Sequence, residues 1–315
     1  MIENLELRHL RYFVTLAEEL HFGRAAARLG IAQPPLSQQI QRLELVLGTR
    51  LFERTSRKVL LTDAGQALLV EARRVLAAAE TAVEAARRAG RGESGELRVA
   101  FAATVMFLDL PRIIREFRGR YPSVHLDLRE MPTGPQLVAL RQGDIDIGFV
   151  REPREDPALE IVTVMREPLR IAVNKRHPLA ASPTLAVRDL AGEPFVLFPE
   201  ELAPGLYAQV MGLCRSAGFL PNVIEESREL YTSVSLVEAG VGVSILPASV
   251  EKLGWRQVRY RAIPSAAAET RIAAAWRKDR KRPVVDAFMG VVREVVPARA
   301  APGFEGRAGD SRAGR

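Results

Sequence analysis

Apolar residues near the amino terminus recur at helical spacing. Leu7 to Leu20 predicts a first helix with Leu10, Phe13, Val14 and Ala17 on its inner face. Residues 22–48 read FGRAAARLGIAQPPLSQQIQRLELVLG. Ala25, Ala26 and Leu29 share a helical face, and the alanines are small where another helix must approach. Gly30 falls where that helix should end, because glycine takes the left-handed cap conformation at little cost. Ile31 plugs the turn, and Gln33-Pro34-Pro35 opens the next helix, since proline is tolerated in a first turn. Leu36, Ile40, Leu43 and Leu47 give that helix one apolar stripe, while Ser37, Gln38, Gln41 and Arg42 occupy its other face. The pattern predicts a helix-turn-helix, with an ordinary helical hairpin as the alternative.

Leu51-Phe52-Glu53-Arg54 and the run from Thr55 to Thr62 then predict a two-stranded wing with a basic tip at Arg54 and Arg57. Asp63 to Ala89 consists almost wholly of helix formers. Its narrow seam of Leu68, Val75, Ala79, Ala82 and Ala86 needs cover, from a second copy of the helix or from the helix's own domain. Gly90, Gly92 and Gly95 stand in a short polar run that predicts a hinge.

Beyond the hinge, strands and helices alternate. Strands are expected at 97–102, 124–130 and 145–150, with helices at 108–121 and 136–142 between them. This order implies a parallel sheet with right-handed crossovers. Further strands at 169–173, 195–198 and 243–246, and helices at 205–217 and 230–239, predict a second lobe. A strand at 271–276 and a helix at 283–296 return to the first. From Pro297 onward Ala, Gly, Pro and Arg dominate, a composition that predicts disorder.

Composition narrows the functional classes. A net charge of +7 over 315 residues suits a polyanionic partner. No apolar run reaches the ~18 residues a membrane span needs. The acidic start Met1-Ile2-Glu3-Asn4-Leu5-Glu6 lacks the basic-then-apolar order of a signal peptide, so a cytoplasmic protein is expected. Cys214 is the sole cysteine, which excludes an intramolecular disulfide and a Cys-rich zinc site. It reads as a buried small hydrophobe or as a reactive thiol.

Candidate catalytic patterns fail on inspection. Gly240-Val241-Gly242 lacks the third glycine of a dinucleotide fingerprint and follows a helix rather than opening one. Asp144 and Asp146 have no further oxygen ligands nearby, and Asp146 is expected to bond backbone amides at a strand end. His9, His21, His125 and His177 lack metal-ligand spacing. No catalysis, cofactor or metal is expected. The carboxyl ends of parallel strands, however, form ligand sites. Ala103-Thr104, Met131-Pro132-Thr133, Arg151 and Ala203-Pro204-Gly205-Leu206 should meet there. Their hydroxyls, guanidinium and amides suit a small carboxylate. Each threonine alone is equally read as a helix cap, and Arg151 as a surface ion pair with Glu152 or Glu155.

The ordered series AAARLGIAQPPLSQQIQRLE, then LG, LFER and LTDAG, closely resembles the amino-terminal domain of LysR-type transcriptional regulators. The Q-P-P variant, with REMPT and GFVR later, is most similar to the branch that senses muconate, benzoate and related aromatic-degradation acids. The resemblance implies a multidomain α/β protein. A winged helix-turn-helix would occupy 1–61, a linker and dimerisation helix 62–89 and a hinge 90–96. A two-lobed effector domain like a periplasmic binding protein would occupy 97–297, with lobe I at about 97–165 and 270–297 and lobe II at about 166–269. Residues 298–315 would be a disordered tail. The expected partners are double-stranded operator DNA, a small carboxylate effector and further copies of the chain as a homodimer or homotetramer. RNA polymerase is a candidate partner, and no membrane is involved. Gln33, Pro34, Pro35, Ser37, Gln38, Arg42, Arg54 and Arg57 would face DNA. Comparison with the muconate-sensing branch puts Thr104, Thr133, Pro204, Gly205, Leu206 and Leu230 at effector-contacting positions. Thr104 replaces a serine and Gly205 a side-chain amide, departures that change the ligand's shape. An effector-independent DNA-binding protein and a transporter's solute-binding protein are the rival readings.

Overall fold

The computed structural model describes residues 5–54, 58–182 and 185–296. The expected tail at 298–315 and the wing tip with Arg57 lie outside these residues. The chain divides into two compact units, Met1–Arg88 and Ala89–Arg315.

In the first unit, α1 (Leu7–Glu19), α2 (Phe22–Leu29) and α3 (Gln33–Leu47) pack around Phe13, Leu16, Leu36, Ile40 and Leu43. The turn between α2 and α3 forms as its residues dictate. Gly30 takes φ 67° and its N–H bonds the carbonyls of Ala26 and Ala27. β1 (Phe52–Arg54) and β2 (Val59–Leu61) pair antiparallel, and Phe52 closes the core against Phe13 at 5.5 Å between ring centroids. The predicted stripe of α3 stops one turn early. Leu47 is 39% exposed, because the helix ends at Gly48 and the chain turns away toward β1.

α4 (Asp63–Gly90) is one continuous helix. Its first turns rest on the domain's own core through Leu69 and Ala72, with Leu68 and Leu76 partly buried there. Farther along, Val75 and Val83 are about half exposed, and Ala82 and Ala86 are exposed. The helix's own domain therefore covers only the first part of the seam.

The second unit opens with β3 (Gly95–Phe101), α5 (Leu110–Arg120), β4 (Val124–Glu130), α6 (Thr133–Gln142) and β5 (Ile147–Arg151). β3 lies between β4 and β5 and is parallel to both, as the alternation predicts. The helix expected at 108–121 forms as α5. A 3-10 turn over Ala103–Phe107 precedes it, so Thr104 lies in that turn and not at the start of α5.

β6 (Leu159–Asn174) is the largest departure from expectation: only 169–173 were read as strand, yet it runs for 16 residues. Pro168 makes the sequence look interrupted there. It is tolerated because a proline without an N–H fits where strand partners change. β6 pairs with β11 (Glu269–Arg277) up to Pro168, then from Leu169 with β9 (Ser244–Pro247) and from Arg170 with β10 (Val258–Ala262). The second lobe is completed by β7 (Pro194–Leu197), α7 (Pro204–Ser216), β8 (Asn222–Glu226) and α8 (Leu230–Glu238). β7 and β8 pair in parallel, and neither β8 nor β10 was expected. α9 (Pro283–Val295) returns to the first lobe, where Phe288 packs 4.9 Å from Phe117 and 6.2 Å from Phe149.

Each lobe has its own core, one around Leu97, Phe117, Phe149 and Phe288, the other around Ile171, Phe195, Val210 and Ile245. Asp146 bonds one backbone amide, that of Arg98, as expected, and also pairs with the guanidinium groups of Arg98 and Arg282. Burial opposes ionisation of Asp146, but those cations outweigh it and hold the carboxyl below its ordinary range.

Candidate functional site

Two regions qualify, one in each unit. In the first, Gln33, Pro34, Pro35, Gln38 and Arg42 are exposed and Ser37 is half-buried along the start and one face of α3. No side chain of Gln33, Gln38 or Arg42 bonds a described residue, so their donors remain available. Proline in the first turn fixes the backbone there.

Arg54 is held differently. Its guanidinium pairs with Glu44 at 2.9 Å and lies 5.2 Å from the ring centre of Phe22. Glu44 is a residue that pattern reading missed. Its carboxylate also accepts the backbone N–H groups of Leu51 at 2.9 Å and Phe52 at 3.2 Å, which anchors the entry to β1 on α3. The only signal was a carboxylate among leucines in LELVL.

In the second unit, a cavity of about 130 Å³ lies between the lobes. The carboxyl ends of β3, β4 and β5 supply Ala103, Thr104, Met131, Thr133 and Arg151 to its wall. Phe198, Leu202, Ala203, Leu206 and Leu230 face them from the other lobe. Pro204 and Gly205 are not among the lining residues. Gly205 instead lies against the backbone of Glu152, where a β-carbon would meet the carbonyl oxygen.

Arg151 organises the buried end. It is 2% exposed and pairs with Glu167 at 2.6 Å, so the surface pair with Glu152 or Glu155 does not form. Glu152 pairs instead with Arg271. Arg151 Nη2 also donates to Thr104 Oγ1 at 3.1 Å, and its backbone N–H donates to Thr133 Oγ1 at 3.0 Å. Each threonine oxygen thus accepts one bond and keeps its own proton free to donate. The Nε and Nη1 groups of Arg151 are buried without a partner. Unsatisfied donors of a buried cation are costly.

The supporting residues were not foreseen. Glu167 Oε2 accepts the backbone N–H of Ser249 at 2.6 Å, and Glu167 Oε1 accepts the Ser249 hydroxyl at 3.1 Å. Gln136 donates to the carbonyls of Met131 at 2.7 Å and Phe149 at 3.3 Å, tying the β4 and β5 ends together. The period-two series Met165, Glu167, Leu169 does place a carboxylate on an inward face, which is a readable signal. Glu130, Arg228 and Glu229 also line the cavity. Burial, and then the charge of Glu130, push the Glu229 carboxyl above its ordinary range against the opposing effect of Arg228.

Among the described residues no cluster of His, Cys, Asp and Glu could hold a metal ion. No helix among them is long and apolar enough to cross a membrane.

The family model described as the bacterial regulatory helix-turn-helix protein, lysR family, matches residues 7–66, and that of the LysR substrate binding domain matches residues 90–297. The chain belongs to the LysR family of DNA-binding transcriptional regulators. Among its relatives, the HTH-type transcriptional regulator YnfL of Escherichia coli (strain K12) is 44% identical over 89% of this chain and 94% of its own length. The LysR-family likeness extends to AlsR of Bacillus subtilis (strain 168), an HTH-type transcriptional regulator, 40% identical over 91% of this chain and 95% of AlsR. A crystal structure of full-length CbnR complexed with its target DNA is similar with a TM-score of 0.76 and 33% identity, covering 93% of this chain and all of CbnR's.

Proposed function

We propose that this LysR-family regulator binds operator DNA through the amino-terminal half of α3 and the wing, and that a small organic anion in the interlobe cavity controls its promoter. The observation that carries the effector reading is Arg151, a buried guanidinium that lines the cavity and whose Nε and Nη1 nitrogens have no partner. Thr104 and Thr133 are the adjacent hydroxyl donors. In this reading α4 is the linker helix. Its half-exposed Val75 and Val83 suit pairing with a second copy, in a homodimer or homotetramer. The working compartment is the cytoplasm, where promoter DNA and RNA polymerase are found.

The test is a titration of full-length protein with small carboxylates, read by calorimetry and by operator binding. Thr104→Val and Thr133→Val should each lose a bond to a charged acceptor, about 1.5–3 kcal/mol, or roughly tenfold to a hundredfold in acid affinity. Operator affinity without acid should stay as in the unaltered protein. Wild-type acid affinity in both variants would remove the anion from this cavity.

A further inference from the structure

The interlobe cavity is electrically asymmetric. Its buried end offers one cation, Arg151, whose charge Glu167 already matches. Its exposed end carries two carboxylates, one from each lobe. Glu130 is the last residue of β4 and is exposed, while Glu229 precedes α8 and is half-buried. Neither carboxylate has a hydrogen-bonding or ion-pairing partner among the described residues. Arg228, the one cation there, is exposed and screened by solvent. The wall between is apolar, formed by Met131, Phe198, Leu202, Leu206 and Leu230. At about 130 Å³ the space is compact; an apolar cavity of about 150 Å³ holds a benzene ring.

Resting on the reading of this cavity as the effector site, we propose that it selects a compact monocarboxylate whose other end carries a hydroxyl or amino donor. The carboxylate meets Arg151, Thr104 and Thr133, and the donor meets the free acceptors of Glu130 and Glu229. A dicarboxylate of the same length is disfavoured, because its second anionic group would sit beside two carboxylates and one solvated cation. Burial is the larger cause of the raised ionisation range of Glu229, and the charge of Glu130 adds to it before any ligand enters. The pairing also gives specificity in the direction that buried polar groups favour: a ligand lacking the donor leaves acceptors unmatched.

The test uses full-length protein and two probe series at neutral pH. One is benzoate, 4-hydroxybenzoate and terephthalate; the other is butanoate, 4-hydroxybutanoate and succinate. In at least one series, calorimetry should show the hydroxy acid binding at least roughly tenfold tighter than the diacid. Glu229→Gln and Glu130→Gln together should raise diacid affinity by about the same factor and leave the plain monoacid nearly unchanged. A diacid that binds as tightly as the hydroxy acid, or a ratio unmoved by the double variant, would overturn the selectivity while leaving the effector site intact. Failure of every acid to bind would instead overturn the effector reading, and the selectivity with it.

Discussion

Gly205 stands so near Glu152 that a β-carbon on it would lie 1.9 Å from the Glu152 carbonyl oxygen. Glu152 follows the last residue of β5 in the first lobe, and Gly205 lies in the first turn of α7 in the second. The same device recurs at Gly134, whose added β-carbon would be 2.0 Å from the carbonyl of Glu201 and whose N–H bonds the Leu202 carbonyl at 3.0 Å. Two bare backbones thus seat the lobes on each other beside the cavity.

Gly205→Ala should therefore wedge the lobes apart. Overpacking costs typically about 1–3 kcal/mol, and chemical denaturation should show a loss in that range. Gly119→Ala is the control. It lies within α5 with nothing near its added β-carbon, so a gain of about 0.4–1 kcal/mol is expected. Equal stability for the two variants would contradict the contact at Gly205.

Glu44→Ala should loosen the wing. The substitution strips two backbone N–H groups and Arg54 of their shared acceptor, and an unsatisfied buried donor costs about 1–3 kcal/mol. Thermal melting and operator affinity should both fall, across all DNA sequences alike. Gln38→Ala, by contrast, should leave melting unchanged and reduce discrimination at one base position by about 1–3 kcal/mol. A panel of single-base operator variants separates the two effects.

Asp146 makes stability sensitive to acid. Its folded ionisation range lies below that of the unfolded chain, so the ionised carboxylate stabilises the fold above the unfolded range. That contribution fades as pH falls through the folded value. Asp146→Asn should cost about 1.5–3 kcal/mol near pH 7, as expected for lost hydrogen bonds to charged groups. The difference from the unaltered protein should shrink as the acid limb is approached. A penalty independent of pH would mean that charge is not what Asp146 contributes.

Cys214 should be inert. Burial pushes its thiol up to about 11, and the side chain has no exposed surface. The thiolate is the reactive species, so alkylation by iodoacetamide near pH 8 should proceed no faster than global unfolding. Fast labelling of the folded protein would restore the reactive-thiol alternative.

Much of the molecule is legible in the chain because local rules and packing agree. Gly30, the prolines after Gln33 and the Leu36–Ile40–Leu43 stripe each specify the turn and α3 by themselves. The alternation from β3 to β5 places Thr104, Thr133 and Arg151 at one sheet edge by topology alone. What stays hidden depends on contacts between distant segments. The partner of Arg151 is Glu167, in a strand that Pro168 disguises. Glu44 is chosen by the wing's backbone, which no helical period reveals. Gly205 looks like the loss of an amide until Glu152 is seen against it. The carboxylates at the cavity's exposed end come from residues 130 and 229, and only the packing of the two lobes brings them to one cavity.

The strand order also fixes a timetable for synthesis. β5 finds its neighbour β11 only after the whole of the second lobe has been translated. α9, which brings Phe288 to Phe117 and Phe149, comes later still. The second lobe, by contrast, draws its core from residues 169–268, a single uninterrupted stretch. On a ribosome the later-encoded lobe can therefore close first, while the earlier one waits with an open sheet edge and bare aromatic rings. A nascent chain stalled before Pro283 would display that unfinished surface to chaperones and proteases.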